Sequence, residues 1–372
     1  MTDPSTIASL ASPFAPPLST APGERRLWGE LHGAAASLAT ANAACRHQGL
    51  TLVIAEDVQA SARLEAEIGF FLVGSGLEVL TFPDWETLPY DVFSPLPELV
   101  SQRLLTLHRL ADMRRGVLVA PISTLLQRLP PRLYLEAHTL QIARGDRLDP
   151  ERFRRRLEQA GYRCVSQVVA HGEFAVRGSL LDLFPMGHAT PFRLDLLDDT
   201  IDSIRVFDPD TQRSQDPVSA IRSLPAREIP LDEEGVARFR QAFRIAFAGD
   251  PKRSPIYREV SAGNAPGGVE YYLPLFYEHT SSLFDYLPED TLALQWAGAR
   301  EAAEGFLGQV TERYEQRRHD IERPLLPPPG LYLDIAEFNA AVRCLASVQL
   351  QTQEITERRR GFADIHLSLI HI

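Results

Sequence analysis

Lys252 is the only lysine in this 372-residue chain, and it sits in a DPKRSP turn preceded by one glycine, Gly249. A phosphate-binding loop of the P-loop kind needs a lysine placed after a glycine-rich turn, where it reaches the β- and γ-phosphates. The place for such a loop, between the first apolar strand and the first helix, reads WGELHGAAASLAT from Trp28 to Thr40. Gly33 is present, but alanines occupy the positions where a cradle of backbone N–H groups calls for glycines and a Lys-Ser/Thr pair. Two readings follow: a relic nucleotide site, or a helix start packed on a sheet; the residues favour the second. The apolar run VLVAP ends in Ala120-Pro121 and offers no acidic pair for Mg²⁺.

Other candidate chemistry is sparse. The ten histidines form no HExxH or close ligand cluster. His171, in AHGEF, has the type for a ligand or base, but its place before Gly172 suits a strand turn better. Gly74-Ser75-Gly76 is a loop and not a nucleophile elbow. Asp198 and Asp199 lie between apolar runs in LLDDTIDS, which predicts a hairpin turn over a paired-acid site. Arg152, Arg154, Arg155 and Arg156 alternate with Glu151 and Glu158, which predicts a solvated helix face.

Positioning such residues falls to two kinds of pattern. The first half alternates helix and strand: an alanine-rich helix over Ala34 to His47, a buried strand at Thr51 to Glu56, a helix capped by Asp57, a strand at Leu77 to Phe82, a helix opened by Pro97, and a buried strand at Gly116 to Pro121. That rhythm predicts an α/β fold with a doubly wound parallel sheet. From about Thr139 it gives way to one helix, Pro150 to Ala160, and closely spaced strands at Arg163 to Ala170, Phe174 to Arg177, Leu180 to Phe184, Phe192 to Leu197 and Ile201 to Phe207. Gly178, Pro185-Met186-Gly187 and Asp198-Asp199 supply the breaks. This is an inserted antiparallel α+β module. Helices return at Asp232 to Phe247 and Ala299 to Arg318, and Thr291 to Ala297 is a candidate strand for the first sheet.

The expected division is a disordered leader over 1–24, an α/β domain in two parts over 25–138 and 226–335, the inserted module over 139–225, and a linker with the start of a further domain over 336–372. Arg323 to Gly330, RPLLPPPG, reads as a stiff linker. The final LSLIHI, Leu367 to Ile372, translates a sequence like a common transposon end and is expected not to belong to the protein.

Composition is that of an ordinary globular chain, with 44% hydrophobic and 23% charged residues. A net charge of −11 argues against a general electrostatic grip on DNA. Cys45, Cys164 and Cys344 are widely separated, a set that suits a reducing cytoplasm. No apolar run is long enough to span a membrane.

Several extended segments, in order, carry a family resemblance: LTFPDWETLPYDVFSP (Leu80 to Pro95), GVLVAPISTLLQRLPP (Gly116 to Pro131), HGEFAVRGSLLDLFP (His171 to Pro185), PFRLDLLDDTIDSIRVFDPDTQRS (Pro191 to Ser214) and RPLLPPP (Arg323 to Pro329). Over roughly Arg25 to Gly361 the chain resembles the N-terminal, UvrB-like region of bacterial transcription-repair coupling factor, cut short at its C-terminus. The excision-repair helicase UvrB shares two of these segments but carries an intact P-loop. It also has a long hairpin after its Tyr-Asp segment, whereas here Pro89-Tyr90-Asp91 runs into the Pro97 helix within a few residues.

The resemblance implies a degenerate helicase-like sheet without its P-loop, and an inserted module that docks onto UvrA, the damage-sensing ATPase. The matching positions are Arg177, Arg193 and Leu197, the last standing where the family can present an aromatic residue. The local alternative for the arginines is pairing with Glu173 or Asp195. No cofactor and no catalysis are expected of this chain. ATP, Mg²⁺, RNA polymerase and double-stranded DNA belong to parts of the family protein beyond it. The competing reading is a UvrB-type module that binds damaged DNA.

Overall fold

The computed structural model describes residues 12–296, 298–355 and 362–364. Its larger sheet is seven-stranded. The strands in chain order are β1 (Arg25–Gly29), β2 (Leu50–Ala55), β3 (Val79–Thr81), β4 (Gly116–Pro121), β5 (Leu140–Ala143), β6 (Arg163–Cys164), β7 (Glu173–Arg177), β8 (Leu180–Leu183), β9 (Phe192–Leu197), β10 (Thr200–Phe207), β11 (Ser214–Val218), β12 (Ala220–Ser223), β13 (Leu292–Trp296), β14 (Ala346–Leu350) and β15 (Phe362–Asp364). The larger sheet runs β15-β1-β14-β13-β2-β4-β3, and every pair in it is parallel.

A parallel sheet is buried on both faces, so its central strands are apolar at nearly every position. LTLVIA and GVLVAP meet that demand with no exposed residue. Leu52, Ile54, Leu118 and Ala120 point to one face, where they pack with Leu104 and Leu107 of the helix Pro97–Leu110. Val53, Ala55, Val117 and Val119 point to the other, against the helices Ala35–Arg46 and Val58–Phe71. The alanines of the first helix let it lie close to the sheet: Ala36, Ala39, Ala43 and Ala44 are buried there. Asp57 caps the second, accepting the Ala60 N–H at 2.7 Å.

The second sheet is six-stranded, in the order β11-β10-β9-β8-β7-β6. It is antiparallel except for the β6–β7 pair. β5 and β12 pair antiparallel at the base of this module. One apolar cluster runs from the parallel sheet through Phe153 and Leu157 of the helix Pro150–Gln159 into the module's inner face. At that junction the Arg103 guanidinium, 0% exposed, donates to Glu228 at 2.6 Å and to the Pro83 carbonyl at 2.9 Å.

Four expectations are corrected. The segment read as a disordered leader is packed from residue 12 onward within the described chain: Trp28 Nε1 donates to Pro17 O at 2.9 Å and Ser19 Oγ to Ser347 O at 2.7 Å. Carbonyls of the Pro-rich stretch take side-chain donors, Trp28 on Pro17 O and Arg46 on Pro16 O, while its Ser19 hydroxyl ties it to β14. Residues 346–350, read as part of a linker and the start of a further domain, form β14 between β1 and β13; Val348 and Leu350 are buried. Arg323 to Gly330 is no free linker, since Leu325 and Leu326 are buried and Leu326 O accepts the Tyr90 hydroxyl at 2.9 Å. The strand expected over Arg163 to Ala170 stops at Cys164, because the Val169 and Ala170 N–H groups turn to the Glu173 carboxylate. The expected six-residue C-terminal artefact lies outside the described residues.

The LPYDVF segment forms a tight loop. Tyr90 has φ 59°, and Arg313 and Arg317 donate to the carbonyls of Pro89 and Tyr90 at 2.7 and 3.0 Å. The chain passes from β3 to the Pro97 helix without an intervening strand.

Candidate docking site

Alternation along the antiparallel strands separates two faces. Phe174, Leu181, Leu183, Phe192, Leu194, Ile201 and Ile204 face the core. Ala175, Asp182, Arg193 and Arg205 form a cross-strand row on the opposite face, each opposite the next in the register. Arg177, Leu180, Asp195 and Ser203 form the adjacent row. One end of this outer face is closed by a small cluster of Val168, Ala175, Phe184 and Phe207. The other end is open: Arg177, Asp195, Leu197 and Arg205 are exposed.

The centre of this face is Asp182, whose side chain is 0% exposed. Its carboxylate accepts Arg193 Nε at 2.7 Å and Arg193 Nη2 at 2.9 Å, a bidentate fork. Arg177 donates to the same carboxylate from the neighbouring strand. Arg193 also stacks over the Phe207 ring at 4.9 Å, and its Nη1 donates to Gln212 O and Ser214 Oγ at 3.1 and 3.3 Å. The hydrogen bond to Asp182 raises the Arg193 pKa further above its ordinary value. A buried carboxylate is tolerable only when paired and bonded in this way.

The partner named in the local alternative for these arginines is thereby corrected. Neither Glu173 nor Asp195 holds them; Asp182 holds both, because the β7–β8 turn places it across from Ala175 and the β8–β9 register places it opposite Arg193. Glu173 instead takes Arg163 at 2.5 Å. Burial pushes the Glu173 carboxyl up, but the Val169 N–H, Arg163 and the Ala170 N–H outweigh it and hold the group below its ordinary value. Asp182 was missed as a site residue, although a lone acid between Leu181 and Leu183 in a hairpin strand marks a buried charge that needs partners. Arg177 and Arg193 are brought together. Leu197 stands apart at the β9–β10 turn, 69% exposed, next to Asp198 at φ 57°.

The remaining candidates resolve into local structure. His171 lies against the Phe184 ring at 4.1 Å and donates to His188 O at 2.8 Å. The arginines of the Pro150–Gln159 helix are exposed. At the carboxyl ends of the parallel strands a cavity of about 340 Å³ is lined by Gly33, Ser37, Glu56, Arg63 and Glu67, among others. The Ser37 hydroxyl there is turned to Glu67, so the mouth presents two carboxylates where a phosphate cradle would present N–H groups. Among the described residues no group of three or more His, Cys, Asp or Glu side chains is arranged to hold a metal ion. No helix among them is long and apolar enough to cross a membrane.

Residues 140–229 match the UvrB interaction domain, which defines the class of this module. Over nearly its whole length the chain is related to transcription-repair-coupling factors. It is 44% identical over 344 residues to that of Haemophilus influenzae, covering 92% of this chain. It is 46% identical over 336 residues to that of Escherichia coli, covering 90%, and 30% identical over 230 residues to that of Bacillus subtilis, covering 58%. The chain spans about 30% of the length of the first of these relatives.

Proposed function

We propose that this chain is a non-catalytic recruitment module of transcription-coupled nucleotide-excision repair, docking UvrA through the outer face of its antiparallel sheet. Arg177, Arg193 and Leu197 are the assigned contacts, and the mechanism is mimicry of the surface UvrB offers. The observation that carries the reading is the open half-face itself. It lies within the segment matched by the UvrB interaction domain, and there a buried carboxylate organises two arginines, with Leu197 exposed at the β9–β10 turn of the same face. Arg177, half-exposed and spending one hydrogen bond on Asp182, is suited to a carboxylate on a partner, and an exposed leucine to its apolar patch.

In the same reading the parallel sheet is a degenerate helicase-like core flanking the inserted module at about 139–225, and it takes no nucleotide. The alanine-rich helix start and the carboxylates lining the strand ends support this. ATP-driven translocation, with Mg²⁺, double-stranded DNA and RNA polymerase as its partners, is assigned to the remaining length of a coupling factor. The three free cysteines accord with a cytoplasmic protein.

The test is binding of purified UvrA to the chain beside an Arg177→Ala/Arg193→Ala double variant, with circular dichroism on both. A folded double variant should bind at least about tenfold more weakly. Unchanged binding would move the interface elsewhere. Absence of wild-type binding would end the recruitment reading, and salt-dependent binding of damaged DNA without UvrA would replace it with the UvrB-type alternative.

A further inference from the structure

The outer face carries a third arginine that neither the sequence motifs nor the family comparison singles out. Arg205, on β10, stands directly opposite Arg193 in the β9–β10 register and is exposed. Two like charges opposite one another on one sheet face repel unless each finds a counter-charge. Arg193 has one: of the five donors on a guanidinium, Nε, Nη2 and both sites of Nη1 are committed to Asp182, Gln212 and Ser214. Both Asp182 oxygens are occupied by Arg193 and Arg177 in turn. No carboxylate oxygen lies within salt-bridge distance of Arg205 among the described residues, and Asp195, one diagonal away on the same face, pairs with neither arginine.

We propose that the direct ionic contacts to the partner are made by Arg205 and Arg177, and that Arg193 is a positioning residue. The inference rests on the UvrA reading above and divides its labour. Arg193 has four of its five guanidinium donors engaged and its side chain only 17% exposed, whereas Arg177 is 46% exposed and spends one hydrogen bond on Asp182. Arg193 therefore neutralises Asp182 and aligns Arg177, while Arg205, exposed and without an ion pair among the described residues, is available to an external anion. Arg177 and Arg205 lie on β7 and β10, three strand spacings apart, so the complementary surface presents two carboxylate groups roughly 15 Å from each other. Leu197 lies one row beyond Asp195 on β9, towards the hairpin turn.

The two roles separate kinetically. Free rim charges act on the association rate and its salt dependence, while a residue that aligns a contact acts on dissociation. With the whole chain and purified UvrA, Arg205→Ala should lower the association rate about tenfold at low salt and flatten its salt dependence. Arg205→Lys, which keeps the charge, should restore most of the association rate. Arg193→Ala should speed dissociation while leaving the salt dependence as in the wild type. Asp195→Asn should leave binding intact or strengthen it. Wild-type binding by Arg205→Ala, or a salt dependence flattened equally by Arg193→Ala, would overturn the inference and leave UvrA recruitment standing. A loss from Asp195→Asn equal to that from Arg205→Ala would make those two an internal pair and also overturn it. Failure of the wild type to bind UvrA would remove both readings together.

Discussion

Glu228 and Asp182 are both buried carboxylates that hold arginine, yet they sit in regions built for opposite ends. At the junction between the two sheets, Arg103 and Glu228 are 0% and 2% exposed, and Arg103 lies over the Phe82 ring at 4.3 Å. Neither member of that pair reaches solvent. On the outer face of the antiparallel sheet the carboxylate is equally buried, but Arg177 remains 46% exposed. The same pairing chemistry makes a closed internal joint in one place and a presented cationic surface in the other. The difference lies in the layer above: helix and loop cover the first, while the Val168 loop and the turn carrying Gln212 cover only part of the second.

Substitutions can break that comparison. Glu228→Ala leaves the Arg103 charge buried and unpaired, so it should cost about 3–5 kcal/mol of unfolding free energy in urea denaturation. Its UvrA affinity per folded molecule should stay unchanged. Asp182→Ala frees two arginines that can turn to water, and it should cost less, about 2 kcal/mol, while weakening UvrA binding in the folded protein at least about tenfold. Equal stability losses in the two variants, with UvrA binding retained, would erase the distinction between joint and surface.

The smallest effect concerns His138, whose Nε2 lies 3.2 Å from Asp232 Oδ2 at the start of the helix Glu233–Ala246. The hydrogen bond to Asp232 raises the His138 pKa despite its burial, and the same bond lowers the Asp232 carboxyl. A histidine raised in the folded state contributes stability that is full below its unfolded pKa, near 6.5, and fades as pH rises through the folded value. His138→Asn should therefore lower the melting temperature more at pH 5.5 than at pH 8, by a few degrees at most. An equal difference at both pH values would show that the contact does not titrate.

The alternation of helix and buried strand over residues 34–121 was legible because parallel strands must be apolar on both faces, a demand that LTLVIA and GVLVAP display without any partner in view. The hairpin turns at Gly178 and Asp198 were equally plain, since few residues accept a positive φ. β14 was not, because ASVQL is short and half polar and becomes a central strand only by lying between β1 and β13. The packing of residues 12–24 was hidden for the same reason, its partners being Trp28 and Ser347.

Segment motifs alone placed Arg177, Arg193 and Leu197 in one inserted module. The sequence determined which residues alternate on each strand, because side-chain direction is a local property with a period of two. Which charge meets which was decided only by tertiary structure. Asp182 reaches two arginines, and Arg205 faces Arg193, through registers set between strands. Register is a pairing of segments that no single segment encodes.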